Sequence, residues 1–371
     1  MRVLHFFKTF SPDQHGGVEM FIRHLVKSTS SLGVENSILS LERNPNPAFR
    51  CDGVDIYQAK ENFNIASTGF SIQSISILRE LADSVDVVHY HFPWPFMDLA
   101  HFAARIKKPS IVTYHSDIVR QKMLLKLYNP LMHAFLDDVN AIVATSPNYL
   151  KSSPVLQHYA DKTSMISIGL DESLYPSPDS SSVEKWKKRF GGRFFLFVGV
   201  LRYYKGLHVL LEAISKTDIP LLIVGAGPIE NELVRQSHQL GLVNVHFIGE
   251  VSEQDKVDLM TACYGIVFPS HLRSEAFGIS LLEGAMFGKP LICSEIGTGT
   301  SYINVHEMTG LVVPPSDVDS LRQAMVYLWN NTEQAKAFGV EARKRYERLF
   351  SADTMGNNYL DLYEKLISSS S

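Results

Sequence analysis

Glu275-Ala276-Phe277-Gly278-Ile279-Ser280-Leu281-Leu282-Glu283 sets two carboxylates at the ends of an apolar run. Upstream, Gly265-Ile-Val-Phe-Pro-Ser270 reads as a short buried strand ended by Pro269. Downstream, Gly288 and Pro290 read as a helix stop. Ile279, Leu282 and Met286 recur at helical spacing, so the stretch predicts strand, loop, and a helix beginning near Gly278. The first N–H groups of such a helix have no intrahelical acceptor and lie at the positive end of the helix dipole, which suits a diphosphate. Gly278 lets a ligand approach the backbone closely, so Phe277, Gly278 and Ile279 are the candidate donor-facing turn. Glu275, in the loop, can reach a sugar hydroxyl. Glu283, one turn into the helix, can accept from ribose hydroxyls.

The Glu-x7-Glu stretch, with its Phe-Gly and the Gly-Lys-Pro at Gly288–Pro290, resembles the retaining glycosyltransferases of family 4. Spacing alone also fits a solvent-facing helix with two unrelated acids; the surrounding Phe-Pro-Ser and Glu-Ala-Phe-Gly favour the family. The resemblance implies an α/β fold of the GT-B type, two Rossmann-like domains with parallel sheets facing across a cleft. The 371 residues fit two domains, and a hydrophobic content of 45% can fill two cores.

The net charge of −4 implies no general pull toward nucleic acid, and none is expected as a partner. Cys51, Cys263 and Cys293 are too few and too scattered for a disulfide framework and fit a reducing cytoplasm. Cys263 and Cys293 lie in apolar stretches and read as core. Met1–Lys8 is too short and too soon interrupted by Lys8 to be a signal peptide. No uncharged apolar run approaches the roughly 18 residues of a membrane span.

Val3–Phe7 predicts the first strand, and Phe21, Ile22, Leu25 and Val26 a helix after the loop Thr9–Glu19. Gly16 and Gly17 precede that helix, where they allow positive φ and bare N–H groups; from the pair alone, a phosphate loop and a flexible turn are equally good readings. A dinucleotide dehydrogenase would carry Gly-x-Gly-x-x-Gly straight after the first strand, and the chain does not. Further strands at Ser37–Leu41, Val54–Tyr57, Val85–His89, Ser110–Tyr114, Ala141–Ser146 and Met165–Ile168 alternate with helices, which argues a parallel sheet. His115 follows a strand end beside Ser116 and Asp117, the edge where open α/β sheets bind ligands. His5, His89 and His91 read as structural or supporting residues. Ile118–Leu136 mixes Arg120, Lys122 and Lys126 with leucines and reads as a surface helix. Pro178-Asp-Ser-Ser-Ser182 reads as the interdomain linker.

The second half opens with the strand Phe194–Gly199 and the loop Val200-Leu-Arg-Tyr-Tyr-Lys-Gly206, similar to the family's Gly-Arg-Leu-x-x-x-Lys-Gly. Lys205 and Gly206 match; the arginine expected at Val200 is displaced to Arg202. Cations belong here because a departing nucleoside diphosphate gains charge. Gly297-Thr-Gly-Thr-Ser301 departs from the family's Gly-Gly-x-x-Glu-type loop. Asp317-Val-Asp319 formally matches a metal-binding Asp-x-Asp, but Pro314-Pro-Ser-Asp before an amphipathic run reads as a helix cap. Arg343-Lys-Arg345 reads as a solvated helix face.

The resemblance implies domains at residues 1–172 and 185–352, with a final helix, 353–371, returning to the first. It implies sugar transfer from a nucleotide sugar, without a metal or other cofactor. Lys205, Arg202 and the turn at Gly278 would hold the diphosphate, Glu283 the ribose and Glu275 the sugar, with His115 and Gly16–Gly17 contributed by the first domain. Arg2-Val-Leu-His, Gly16-Gly-Val-Glu and Arg202-Tyr-Tyr-Lys-Gly206 are similar to bacterial mannosyltransferases of O-antigen and exopolysaccharide assembly. Mannose from GDP-mannose, passed to a glycan on polyprenyl diphosphate, is therefore expected, in a cytoplasmic enzyme in peripheral contact with the inner membrane through the basic helix. The alternatives are a UDP-sugar donor (glucose, galactose or N-acetylglucosamine), a nucleotide-sugar epimerase of the same fold, and a non-catalytic sugar-binding protein.

Overall fold

A computed structural model describes residues 1–11, 16–46, 48–65, 68–118 and 122–370. The chain forms two compact units, Met1–Leu170 with Ser351–Ser371, and Asp171–Phe350.

The first unit is built on strands β1 (Arg2–Phe6), β2 (Glu35–Glu42), β3 (Ala48–Cys51), β4 (Val54–Lys60), β7 (Val87–Phe92), β8 (Ser110–Tyr114), β9 (Ala141–Ala144) and β10 (Thr163–Met165), with β5 (Phe63–Ile65) and β6 (Thr68–Phe70) forming a separate hairpin. The sheet order is β10-β9-β8-β7-β1-β2-β4-β3, parallel throughout except for the edge pair β3–β4. Every residue of β7 and β8 is buried, as helices on both faces of a parallel sheet require. The chain runs outward from β1 in one direction and returns beside it at β7, so β1 and β7 flank the switch point whose strand ends bind ligands in doubly wound folds.

The closing helix, Ala352–Ser370, belongs to this unit. Ser28 donates to the carbonyl of Ala352 at 2.7 Å, and a Cβ at Gly356 would lie 2.1 Å from Ser28 Oγ. Tyr359 and Tyr363 of the same helix are fully buried.

The second unit carries β11 (Phe195–Val198), β12 (Leu221–Val224), β13 (Val245–Gly249), β14 (Gly265–Phe268), β15 (Leu291–Ser294) and β16 (Gly310–Val313), all parallel, in the order β13-β12-β11-β14-β15-β16. Here the switch point lies between β11 and β14. Short, wholly apolar strands such as Phe-Leu-Phe-Val are buried on both faces.

Three sequence expectations change. Pro178–Ser182 is not a linker: Asp179 accepts from the N–H of Ser181 and caps the helix Ser180–Arg189 inside the second unit, while the units divide at Leu170. The Asp-Ser-Ser-Ser composition that resembles a linker is equally that of an N-cap. Arg343 and Arg345 are not a solvated face. Arg343 pairs with Glu172 and Glu347, each at 2.7 Å, and Arg345 donates to the Tyr302 carbonyl at 2.7 Å. The strand expected at Met165–Ile168 runs Thr163–Met165. Asp317 does cap the helix Val318–Asn330, accepting from Ser320 N–H at 2.9 Å, and Asp319 pairs with Arg322. Cys263 and Cys293 are buried, as their apolar surroundings predicted.

Candidate functional site

In the second unit the loops after β11 and β14 meet at the switch point. After β11 the chain makes a single 3-10 turn, Tyr203–Lys205, and leaves it through Gly206 at φ +71°. A Cβ at Gly206 would sit 2.1 Å from the carbonyl oxygen of Pro269, so only glycine lets the two loops touch. The N–H of His271 donates to the Tyr204 carbonyl at 2.9 Å and closes the same contact. Lys205 is thereby carried to Glu275. Its ammonium forms an ion pair with Glu275 Oε2, which also accepts from Ser270 Oγ at 3.2 Å. The ammonium lies 4.6 Å from the centroid of Phe268. Both partners are buried, Lys205 at 8% and Glu275 at 9% exposure.

The helix after Glu275 runs Ile279–Met286, with Gly278 at φ +102° as its N-cap and no side chain capping it. The helix thus starts at Gly278, where the sequence placed it, with its first N–H groups uncapped by any side chain. Phe277 is buried against Phe350, and a Cβ at Gly299 would fall 2.6 Å from its ring, so Phe277 supports the turn from below. The divergent loop Gly297–Ser301 lies directly on this turn: Gly299 N–H donates to the Ala276 carbonyl at 2.9 Å, and Arg273 donates to the Gly297 carbonyl at 3.1 Å.

Glu283 is more deeply engaged than its sequence role suggested. Lys256 Nζ donates to Oε1 at 2.8 Å, and the Tyr175 hydroxyl to the same oxygen at 3.1 Å. Its Oε2 has no hydrogen bond among the described residues. Burial opposes the charge of Lys256, but Glu283 and Glu253 outweigh it and raise the ammonium's pKa above the ordinary lysine value. Neither Lys256 nor Tyr175 was legible as a site residue, because nothing local marks a lysine on a mixed helix or a tyrosine in an irregular stretch. Arg202 is exposed and makes no ion pair among the described residues. Lys205, by contrast, is built into the site.

In the first unit, His115 follows β8 and is 7% exposed. Its Nε2 lies 3.3 Å from His91 Nδ1, His91 Nε2 lies 3.2 Å from His5 Nδ1, and His5 Nε2 lies 3.1 Å from Asn36 Oδ1. Burial lowers the pKa of His5 to about 4, against the opposing Asn36 bond, and that of His115 to about 3. His91 is lowered by burial and by the neighbouring histidines. Ligand atoms of His5, His89 and His91 lie within 4.8 Å of one another, close enough to suggest a metal site. Every ring nitrogen of the three is already hydrogen-bonded, His89 to Tyr363 and Thr113 at 2.7 Å each. The rings of His89 and His91 stack at 4.4 Å, which keeps their in-plane lone pairs from converging on one ion. Gly16 stands at φ −70°, so its expected left-handed freedom is not used; it caps the helix Gly17–Ser31. The Glu19 carboxylate occupies the place a Gly16 Cβ would take, and accepts from Thr9 at 2.5 Å. Pro12–His15, Arg120 and the side chain of Lys122 lie outside the described residues. The helix that contains Lys126 runs Lys122–Asp138.

The chain is similar to known proteins. Residues 15–173 match the sequence profile of Glycosyltransferase Family 4, and residues 180–345 that of Glycosyl transferases group 1. A D-rhamnosyltransferase, WbpZ, of Pseudomonas aeruginosa is 56% identical over 95% of this chain and 93% of its own. The chain is a family 4 glycosyltransferase. This glycosyltransferase is also 47% identical to O-antigen chain mannosyltransferase C of Escherichia coli over 100% of both chains. Its fold is that of sucrose-phosphate synthase from Thermosynechococcus elongatus (TM-score 0.81, 20% identity, 99% of each chain). It is likewise that of Anabaena HepE in complex with UDP-glucose (TM-score 0.77, 18% identity, 98% of this chain and 100% of the other). Both likenesses establish the GT-B fold of two Rossmann-like units. Among the described residues, no helix is long and apolar enough to cross a membrane.

Proposed function

We propose that this glycosyltransferase moves mannose from GDP-mannose, with retention of configuration, to a hydroxyl of a glycan carried on polyprenyl diphosphate during O-antigen or exopolysaccharide synthesis. The observation that carries the reading is the buried Lys205–Glu275 pair beside the uncapped helix start at Gly278, at the switch point of the second sheet. The names of the Escherichia coli and Pseudomonas aeruginosa relatives support the sugar class and the setting.

On this reading the diphosphate draws Lys205 away from Glu275 and settles on the N–H groups after Gly278. Glu275, released, accepts from hydroxyls of the sugar. Glu283 Oε2 accepts from the ribose, with Oε1 anchored by Lys256 and Tyr175. Arg202, exposed on the same loop, adds a second cation. As the glycosidic bond breaks, charge develops on the leaving diphosphate, where Lys205 is worth about 3 kcal/mol to the transition state. The leaving phosphate accepts the proton of the attacking hydroxyl, so no metal and no separate side-chain base is required. Work at the inner membrane face follows from the lipid-linked acceptor.

A second reading comes from the 56% identical D-rhamnosyltransferase. D-Rhamnose is 6-deoxymannose, so the two donors differ by one hydroxyl. A site that hydrogen-bonds that hydroxyl rejects the deoxy sugar strongly, whereas an apolar site discriminates weakly. The test is nucleoside diphosphate release from GDP-mannose, GDP-D-rhamnose, UDP-glucose, UDP-galactose and UDP-N-acetylglucosamine, with chelator present and a lipid-linked glycan acceptor supplied. Release from GDP-mannose that disappears in Glu275→Ala is the expected result. Turnover with a UDP sugar alone overturns the donor. Loss of donor binding in Glu275→Ala with unchanged turnover at saturating donor overturns the role of Glu275.

A further inference from the structure

His115 does not stand alone at the end of β8: it is the outermost ring of a hydrogen-bonded series that crosses β8, β7 and β1 and ends on β2. The series has a direction, and Asn36 sets it. Thr29 Oγ1 donates to the Leu25 carbonyl at 2.8 Å, so its single proton is committed and it can only accept. The side-chain nitrogen of Asn36 lies 3.0 Å from Thr29 Oγ1 and 3.3 Å from the Val26 carbonyl, both acceptors. Flipping the amide would turn its oxygen toward them, so the oxygen faces His5.

From there each proton is determined. His5 Nε2 carries a proton, because it donates to Asn36 Oδ1 at 3.1 Å. A neutral His5 then has a lone pair on Nδ1, which accepts from His91 Nε2–H at 3.2 Å. A neutral His91 has its lone pair on Nδ1, which accepts from His115 Nε2–H at 3.3 Å. Ring geometry agrees. His5 and His91 lie 16° apart with centroids at 5.4 Å, and His91 and His115 lie 23° apart at 5.5 Å. Those are edge-to-edge arrangements of nearly parallel rings, as in-plane N–H···N bonds demand. An extra proton on Nδ1 of His5 or of His91 would leave two N–H groups head to head; on Nδ1 of His115, the outer end of the series, burial alone disfavours it. The burial that disfavours charge on these rings acts in the same sense.

We propose that Asn36, His5 and His91 are positioning residues that hold His115 as the neutral Nε2–H tautomer, so that its Nδ1 is presented as a hydrogen-bond acceptor for a hydroxyl of a bound sugar. Among the described residues, Nδ1 of His115 makes no hydrogen bond, whereas its Nε2 is committed to His91. Burial keeps the ring neutral, and in this tautomer its Nδ1 accepts and does not donate. The ligand it suits is a polyol. The last step rests on the functional reading above, in which the chain binds a sugar; the tautomer does not.

The experiment is a long-range proton–nitrogen correlation spectrum of the full-length protein with nitrogen-labelled histidine rings, recorded from pH 8 to pH 5.5, with His115 assigned by its loss in His115→Gln. The expected His115 pattern is a protonated Nε2 and an unprotonated Nδ1, unchanged across that range. A protonated Nδ1, or two protonated nitrogens at pH 7, overturns the proposal. His5→Phe removes the acceptor for His91, so the series is expected to reverse and His115 to gain population with Nδ1 protonated. Turnover should fall about tenfold with donor KM changed less than about threefold, the scale of one hydrogen bond. If His5→Phe does not fold, Asn36→Leu is read in the same way, and the wild-type spectrum by itself still decides the tautomer. An unaltered His115 tautomer in a folded variant overturns the positioning role. Addition of GDP-mannose separates the two claims. A correct tautomer whose Nδ1 signal does not move on binding leaves the series intact and refutes the contact with sugar.

Discussion

Replacing Lys256 by methionine should destabilise the second unit, and the contacts bound the effect. The ammonium lies 2.8 Å from Glu283 and 2.7 Å from Glu253, with side-chain exposures of 17%, 4% and 35% respectively. Removing one partner of a buried pair costs about 3–5 kcal/mol, because the other charge stays buried without compensation. Two features reduce that here. The Tyr175 hydroxyl still donates to Glu283 at 3.1 Å, and Lys256 itself is not wholly buried. About 2–3 kcal/mol at pH 7.5 is the resulting expectation. Methionine keeps most of the apolar stem, so little of the loss is packing. Adding Glu283→Gln should restore about 1–2 kcal/mol, since a neutral amide is far cheaper to bury than a carboxylate. The assay is urea unfolding followed by tryptophan fluorescence in a Trp94→Phe background, leaving Trp186 and Trp329, both in the second unit, as reporters. A Lys256→Met loss below about 0.5 kcal/mol, with nothing recovered by Glu283→Gln, would refute the view that this pair is a buried, coupled support for Glu283.

Three further expectations rest on the same geometry. Lys205→Met should lower turnover about 100-fold or more at saturating donor, the scale of one charge-assisted donor to a leaving group; steady-state release of nucleoside diphosphate measures it, and a change confined to KM would contradict a transition-state role. Gly206→Ala should cost about 2 kcal/mol or more in stability, because alanine meets both the left-handed φ of +71° and the Pro269 oxygen at 2.1 Å; a melting temperature within 1 °C or so of wild type would contradict it. The first unit should lose stability on acidification. His5, about 4 when folded, and His115, about 3, both titrate near 6.5 when unfolded. The unfolded chain therefore binds more protons, and stability falls as pH drops below about 6.5 toward those values. Each of the two costs about 2 kcal/mol by pH 5, so urea midpoints that do not fall between pH 7 and pH 5 would argue against neutral burial.

Local patterns carry much of this protein. The alternation of apolar strands and helices declares a parallel α/β chain, because strands buried on both faces must be continuously apolar. Glu275, Gly278 and Lys205 are legible because a strand end, a tight turn and a helix start each impose their residue types within a few positions. The helix cap at Asp317 is legible for the same reason. Pro178–Ser182 mimics a linker because linkers and N-caps draw on one vocabulary, and only the spatial neighbours of the segment distinguish them. Arg343 and Arg345 mimic a solvated face because helical spacing says nothing of the Glu172, Glu347 and Tyr302 groups brought to them.

By itself, then, the sequence determined the class of fold, the family and the two loops that meet at the switch point of the second sheet, since those rest on short-range constraints of backbone and burial. Only the tertiary structure decided which charges are paired and which rings touch. Lys256 reaches Glu283 from a different helix, and His5, His91 and His115 reach one another across three strands separated by up to 86 positions in a single hydrogen bond. Such partnerships depend on strand order and register, which fix distances in space that no spacing along the chain records.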